Sequence, residues 1–229
     1  MDKIFRYFTK FEMLLWIASI SMILISFLIF DKEGYLVLIA SIIGATFLIF
    51  NAKGNPVGQF LTIVFSVLYG IISHEFSYYG EMITYLGMTM PMAFVALVSW
   101  LKNPYKNNRA EVKTNIISKM EIVFMLFLSI LVTIIFYFIL EFFDTANLIP
   151  STISVLTSFL AAYLTFRRSP YFALAYATND LVLIVLWLLA SIEDKTYLSV
   201  VICFVVFLVN DLYGFVNWKK IEKRQKDNM

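Results

Sequence analysis

Eight long apolar segments constrain this chain more than any other feature. Each is bounded by charged or turn-forming residues, and most have roughly the 20 residues that an α-helix needs to cross a bilayer core. The segments are Glu12 to Phe30, Tyr35 to Phe50, Val57 to Ser73, Tyr79 to Leu101, Glu121 to Glu141, Leu148 to Phe166, Phe172 to Ile192 and Thr196 to Asn217. Hydrophobic residues make up 61% of the chain and charged residues 15%, whereas about half of a soluble domain is apolar. The sequence therefore predicts an all-α integral membrane protein with eight transmembrane helices.

Basic residues lie almost entirely on one side of the predicted bilayer. If the eight segments alternate in direction, all of the 18 Lys and Arg residues except Lys32 and Lys195 fall on the side of the two termini. Because cytoplasmic loops carry the excess of Lys and Arg, we expect both termini, the loop 102–120 and the tail 218–229 in the cytoplasm. The basic runs adjoin the spans and have no interleaved aromatic residues, which disfavours a nucleic-acid partner.

The two halves of the chain carry similar short patterns at corresponding places. The pairs are Lys10-Phe-Glu12 with Lys119-Met-Glu121, Ser99-Trp100-Leu-Lys102 with Asn217-Trp218-Lys-Lys220, Pro56 with Pro170, and Tyr79 with Tyr197. They indicate two copies of a four-helix unit, at about 10–102 and 119–220, within a single transmembrane domain, 1–229. Because each copy has an even number of spans, the repeats run in parallel, and a substrate route is expected between them near the middle of the membrane.

Polar side chains inside the spans are the candidate binding residues, since burying an unpaired polar group at bilayer depth costs several kcal/mol. The seventh span places four on one stripe at spacings of three and four residues, and the eighth and third spans add others. The substrate-binding candidates are Tyr176, Asn179, Asp180, Trp187, Asn210, Tyr213, Gln59, Thr62 and Tyr69. No catalytic or metal-binding residue is predicted.

Asp211, the small-residue stripe of the sixth span and Pro91 each have a structural as well as a functional interpretation. Asp211 lies about 100° around the helix from Asn210, and a hydrogen bond within the bundle would explain it. The small-residue stripe of the sixth span, which includes Ser154, Thr157 and Ser158, is equally typical of close helix packing. Pro91 lies inside the fourth span and predicts a kink, either static or hinged.

Catalytic motifs are missing from the sequence. One cysteine, Cys203, and one histidine, His74, are too few for a disulfide framework or a Cys/His metal cluster. The chain has no phosphate-binding Gly-rich loop with Lys-Ser/Thr, no zinc-protease motif and no Gly-x-Ser-x-Gly elbow. We therefore expect neither an enzyme nor a bound cofactor.

Several stretches resemble the PnuC family of bacterial vitamin transporters, over most of the chain beyond about Tyr35. The resemblance is carried by Phe207-Leu-Val-Asn210-Asp-Leu-Tyr213-Gly214-Phe-Val-Asn-Trp218, by Ala162-Tyr163-Leu164-Thr165-Phe-Arg167-Arg168 leading to Asp180, and by Tyr69-Gly70 followed by Tyr79-Gly80-Glu81-Met82. It implies a SWEET-like core of two three-helix bundles joined by the fifth helix, with an extra N-terminal helix. It also implies a homotrimer in the bacterial cytoplasmic membrane.

The resemblance further implies a uniporter that imports nicotinamide riboside by facilitated diffusion, with the vitamin trapped inside by phosphorylation. In this interpretation Tyr176 stacks on the ring, Asn179 and Asp180 bind ribose or amide, and Asn210 and Tyr213 form the opposite wall. No Arg or Lys lies within the spans, which disfavours a phosphorylated substrate.

One departure from the family pattern keeps other functions open. Where many members have Trp-x-x-Trp at the start of the seventh helix, this chain has Ala173 and Tyr176. Thiamine and riboflavin therefore remain alternative substrates. A non-transporting membrane scaffold or a substrate-capture subunit is the alternative of another class.

Overall fold

The structure is a computed structural model that describes residues 7–75 and 79–228. Within these ranges, eight helices are long and apolar enough to cross a membrane, which confirms the eight predicted spans. They are α1 (Lys10–Phe30), α2 (Tyr35–Ala52), α3 (Pro56–Glu75), α4 (Tyr79–Lys102), α5 (Lys119–Phe142), α6 (Leu148–Phe166), α7 (Phe172–Glu193) and α8 (Leu198–Asp227). Lys3 and Arg6, two of the basic residues expected in the cytoplasmic tail, lie outside the described residues.

Six of these helices form a closed ring. Helix α3 packs between α2 and α4, and helix α7 packs between α6 and α8. The two groups of three meet at two seams, where α2 contacts α8 and α4 contacts α6. Every helix of the ring therefore has two neighbours, and the ring surrounds a space to which all six contribute.

The two remaining helices lie outside the ring. Helix α1 packs on α2 and α8, and helix α5 packs mainly on α6. Of the 18-residue apolar stretch of each helix, only 22% of the residues of α1 and 11% of those of α5 are buried within the chain. Their uncovered apolar surface faces the surroundings, as expected of helices in contact with lipid.

The start of α1 and the start of α5 make corresponding ion pairs. The side chain of Thr9 caps α1 and that of Ser118 caps α5, each accepting the N–H of a glutamate three residues on. Glu12 pairs with Lys53 at the end of α2, at 3.0 Å. Glu121 pairs in the same way with Arg167 at the end of α6.

Two tryptophans close the end of the ring at which the basic residues lie. Trp100, near the end of α4, donates its indole N–H to the carbonyl of Thr165 across the α4–α6 seam, at 2.9 Å. Trp218 of α8 donates to the carbonyl of Asn51 across the α8–α2 seam, at 2.7 Å. Both indoles are fully buried and pack around Phe172, so the ring is closed at this end.

Helix α4 contains a π-helical turn, Tyr85–Thr89, which ends two residues before Pro91. Pro91 has no N–H to donate to the carbonyl four residues earlier, and its ring crowds that turn. The backbone responds by widening, so that the N–H of Met90 bonds the carbonyl of Tyr85. The irregularity predicted from Pro91 therefore takes the form of a π turn, which lies beside the central space.

The loop expected at 102–120 contains a small antiparallel hairpin, β1 (Pro104–Tyr105) and β2 (Asn108–Val112). Its turn residues Lys106 and Asn107 have positive φ angles of 46° and 61°, as tight hairpin turns require. Much of the tail predicted at 218–229 continues α8 as helix. Buried Gln225 explains this extension, because its side chain bonds the hairpin through the Val112 carbonyl and the Thr114 N–H.

Candidate functional site

A narrow cavity lies inside the six-helix ring. It encloses about 50 Å³, room for a few water molecules, so a larger solute enters only if the walls move apart. All six ring helices line it: Phe47, Leu48 and Asn51 from α2, Thr62 and Phe65 from α3, Tyr85 and Thr89 from α4, Ser158 from α6, Tyr176, Asn179, Asp180 and Leu183 from α7, and Phe204, Phe207 and Asp211 from α8. The cavity thus lies between the two halves of the chain.

Asn179 is held in place by helix α6. Its side-chain oxygen accepts hydrogen bonds from the hydroxyls of Thr157 at 2.7 Å, Ser158 at 3.0 Å and Ser154 at 3.3 Å. The hydroxyl stripe of α6, for which packing alone was one interpretation, therefore orients this amide. Its oxygen is occupied, and its NH₂ group donates to no acceptor among the described residues, so Asn179 presents two donors for a carbonyl or hydroxyl of a ligand.

Two carboxyl groups lie on the α7–α8 wall. Asp180 and Asp211 are 4% and 5% exposed, both line the cavity from adjacent helices, and their carboxyls lie close enough to interact. No Lys, Arg or His lines the cavity among the described residues. The wall is therefore acidic and without a compensating cation.

Helix α2 also places an amide at the cavity, that of Asn51, as α7 places that of Asn179. Gln59 donates to the side-chain oxygen of Asn51 at 2.8 Å, and both side chains are buried. Asn51 lines the cavity and Gln59 does not. The predicted residue Gln59 thus orients a neighbour that lines the cavity, while Thr62, also predicted, lines the cavity itself.

Aromatic rings supply the apolar part of the cavity. Tyr176 lines it from α7, as predicted, and Tyr85 lines it from the π turn of α4. The rings of Phe47, Phe65 and Phe207 meet edge to face, with centroids 5.3 to 6.1 Å apart. Aromatic rings therefore reach the cavity from α2, α3, α4, α7 and α8.

Two predicted residues, Tyr69 and Trp187, do not line the cavity. They belong to the neighbouring aromatic cluster, in which the ring centroid of Tyr69 is 4.4 Å from that of Tyr85 and 6.4 Å from that of Trp187. Both are buried. They close the ring at the end opposite to that of Trp100 and Trp218.

Asn210 and Tyr213, predicted to form the opposite wall, also lie outside the cavity. Asn210 donates to Ser19 of α1 at 2.9 Å, and Tyr213 donates to Glu12 of α1 at 3.0 Å in a separate cleft of about 720 Å³ at the basic end. The physical reason is the 100° turn per residue of an α-helix. Because this face of α8 is covered by α1, the cavity receives the face that carries Phe204, Phe207 and Asp211.

Several lining residues were not among the predicted ones, including Asn51, Tyr85, Ser158 and Asp211. Asn51 has a usable signal in the sequence, because it is a polar residue directly after the apolar run Tyr35 to Phe50. Asp211, for which a structural and a functional interpretation are both open from the sequence, lines the cavity beside Asp180. Among the described residues no group of three or more His, Cys, Asp or Glu side chains is placed to hold a metal ion.

A family model described as nicotinamide mononucleotide transporter matches residues 34–220. The nicotinamide riboside transporter PnuC of Neisseria mucosa is 25% identical over 226 residues, which cover 97% of this chain and 86% of that protein. The protein of the same name from Haemophilus influenzae is 22% identical over 210 residues, covering 91% and 90%. All three comparisons extend across both halves of the chain.

A solved structure shares the fold. The crystal structure of the vitamin B3 transporter PnuC superposes with a TM-score of 0.82 at 23% identity, covering 95% of this chain and 94% of that one. The match includes the six-helix ring as well as α1 and α5. The all-α membrane architecture is therefore that of this transporter structure.

Proposed function

This chain belongs to the PnuC family of nicotinamide mononucleotide transporters, and on that premise we propose that it carries nicotinamide riboside across the membrane by facilitated diffusion. Family membership makes the chain a multi-pass membrane transporter and not an enzyme. The choice of substrate depends on one observation, the cavity between the two halves, which combines aromatic rings, oriented amides and two acids without a cation.

The lining of this cavity suits the riboside better than the mononucleotide. A phosphate group would lie close to Asp180 and Asp211 with no Lys or Arg among the described lining residues to pair with it. Phosphate sites in proteins are built from such cations or from helix N-termini. The pyridinium ring of the riboside carries a positive charge that the acids complement, and its carboxamide and ribose match the donors of Asn179.

Within this proposal each lining group has a role. Tyr176 stacks on the ring, Asn179 binds the carboxamide or the ribose, and Asp180 faces the ring charge. Thr62 and Asn51 line the opposite wall, and Gln59 positions Asn51. Tyr69 and Trp187 close one end of the route and Trp100 with Trp218 the other, so an alternating opening of the two ends would pass the solute through.

The proposal includes the repeat architecture. The ion pairs Glu12–Lys53 and Glu121–Arg167 and the matching indole bonds of Trp100 and Trp218 support two parallel copies, 10–102 and 119–220, around a SWEET-like 3+1+3 core. The basic end that holds the hairpin and the C-terminal helix is then cytoplasmic. The uncovered apolar face of α5 supports association, for which the proposed form is a homotrimer in a bacterial cytoplasmic membrane.

Uptake into liposomes tests the proposal. Purified protein in vesicles should equilibrate labelled nicotinamide riboside to equal concentrations on both sides, without ATP or an ion gradient, and should exclude the mononucleotide. Vesicles that contain a kinase for the riboside should then accumulate label beyond equilibrium, as expected of trapping by phosphorylation. Vesicles without protein serve as the control for leakage.

The alternatives give different results in the same assay. Equilibration of thiamine or riboflavin but not of the riboside would replace the substrate and keep the transporter. Failure of all these solutes to enter, from protein that remains folded, would favour a scaffold or a substrate-capture subunit. Accumulation of the riboside only with an imposed ion gradient would contradict facilitated diffusion.

A further inference from the structure

The Asp180–Asp211 pair is the most unusual group in the cavity wall. Both side chains are more than nine-tenths buried, both line the same cavity, and the two carboxyls lie close enough to interact. They come from different helices, α7 and α8, whose packing brings them together. The contact is therefore a property of the fold and not of local sequence.

Two carboxyls that lie this close can form a hydrogen bond only if one of them carries a proton. Oxygen Oδ2 of Asp180 is buried and receives no hydrogen bond from a donor among the described residues. Two ionised carboxylates in contact would repel each other strongly in an environment of low dielectric constant, as in other carboxyl pairs that share one proton. The arrangement is satisfied when one carboxyl is protonated and donates to the other.

The surroundings leave the charge of such a pair uncompensated. The titratable groups near it are Tyr85 of α4, Tyr176 of α7 and Cys203 of α8, with Tyr69 and Glu81 beyond Tyr85. The phenols and the thiol are neutral near pH 7. The other lining residues, from α2, α3 and α6, include Asn51, Thr62 and Ser158 and carry no charge.

Resting on the proposed function, we propose that Asp180 and Asp211 share one proton and together present a single negative charge that selects a ligand with a positively charged ring. Asp211 is thereby a second specificity-determining residue, which acts together with Asp180. A single charge on the pair matches the single charge of a pyridinium nucleoside. A neutral ring of the same shape would leave the buried charge without a partner and would bind less tightly.

Two ligands of nearly equal shape test the proposal on the purified full-length protein. Nicotinamide riboside has the charged ring, and its 1,4-dihydro form has a neutral one. By calorimetry the wild type should prefer the charged ligand by about tenfold or more. The Asp180→Asn, Asp211→Asn double variant, which keeps the shape of the pair, should lose most of this preference.

Two further measurements separate charge from folding. Asp194→Asn makes the same chemical change at an exposed turn outside the cavity, and it should keep the wild-type ratio. Difference infrared spectra at neutral pH should show the carbonyl stretch of a protonated carboxyl in the wild type that is missing from the double variant.

Each possible result decides a different point. Equal affinity of the wild type for both ligands would overturn the charge selection while leaving the proposed function in place, and binding of neither would overturn both. A double variant that folds and still prefers the charged ligand would remove the role of the pair. Absence of the carboxyl band from the wild type would contradict the shared proton.

Discussion

The indole rings of Trp100 and Trp218 meet with their centroids 5.4 Å apart, each bonded to the end of a helix in the other half of the chain. Trp100 holds α6 and Trp218 holds α2. The two seams of the six-helix ring are thus fixed at the same level by the same kind of bond.

Trp218→Phe and Trp100→Phe should each destabilise the protein by about 1–3 kcal/mol, because each loses a buried hydrogen bond and leaves a small void. The carbonyls of Asn51 and Thr165, which accept the indole bonds, each keep a second hydrogen bond, from the N–H of Gly54 and of Arg168 respectively. The loss of stability therefore stays moderate. Thermal unfolding in detergent measures it. Trp16→Phe is the control, since that indole bonds only a half-exposed threonine hydroxyl, and a loss there as large as at Trp218 would contradict the prediction.

Glu12→Gln should be more destabilising than Glu121→Gln, although both remove a carboxylate from an ion pair with the end of a helix. Glu12 is 2% exposed and its partner Lys53 16%, whereas Glu121 and Arg167 are 19% and 33% exposed. Breaking a largely buried pair costs roughly 3 kcal/mol, and breaking a more exposed one under about 1 kcal/mol. Parallel unfolding of the two variants checks the order, and equal losses would show that burial does not govern these pairs.

Asn179→Ala should weaken the binding of nicotinamide riboside by about tenfold or more, because a ligand loses a hydrogen bond and the hydroxyls of α6 lose their acceptor. Thr178→Ala changes the neighbouring, exposed residue, whose hydroxyl bonds only the Leu174 carbonyl, and should bind like the wild type. Calorimetric titration of both variants provides the comparison. Unchanged affinity in folded Asn179→Ala protein would place the binding site elsewhere.

Gly44→Ala should slow transport and lower stability by about 1–3 kcal/mol, the usual cost of overpacking. A Cβ at Gly44 of α2 would collide with the ring of Phe207, and we expect the displaced ring to move toward the cavity that it lines. At Gly214 of α8 a Cβ would lie 3.5 Å from the Cβ of Ala173, an ordinary contact, so Gly214→Ala is the matched control. Liposome uptake and thermal unfolding should separate the two, and equal behaviour would mean that Phe207 has space to rotate elsewhere.

Much of the architecture could be predicted from the residues alone. Span length and apolarity predict eight helices, because a helix that crosses a bilayer needs a continuous apolar run. The polar side chains of the seventh span predict a site because they are costly at bilayer depth, and Tyr176, Asn179 and Asp180 do line the cavity. The hairpin Pro104–Val112 is not predicted by the charge pattern of the loop 102–120.

The rotation of each helix about its axis could not be predicted in the same way. In a soluble protein the polar face of a helix marks the side that faces water, but lipid and protein neighbours are equally apolar, so that signal is missing from a membrane span. The sequence by itself therefore determined which segments cross the membrane and which of them carry polar groups. Only the packing of α1 over α8 decided that Asn210 and Tyr213 face α1 while Asp211 joins Asp180 in the cavity, because a residue's direction around a helix has meaning only once the neighbours of that helix are in place.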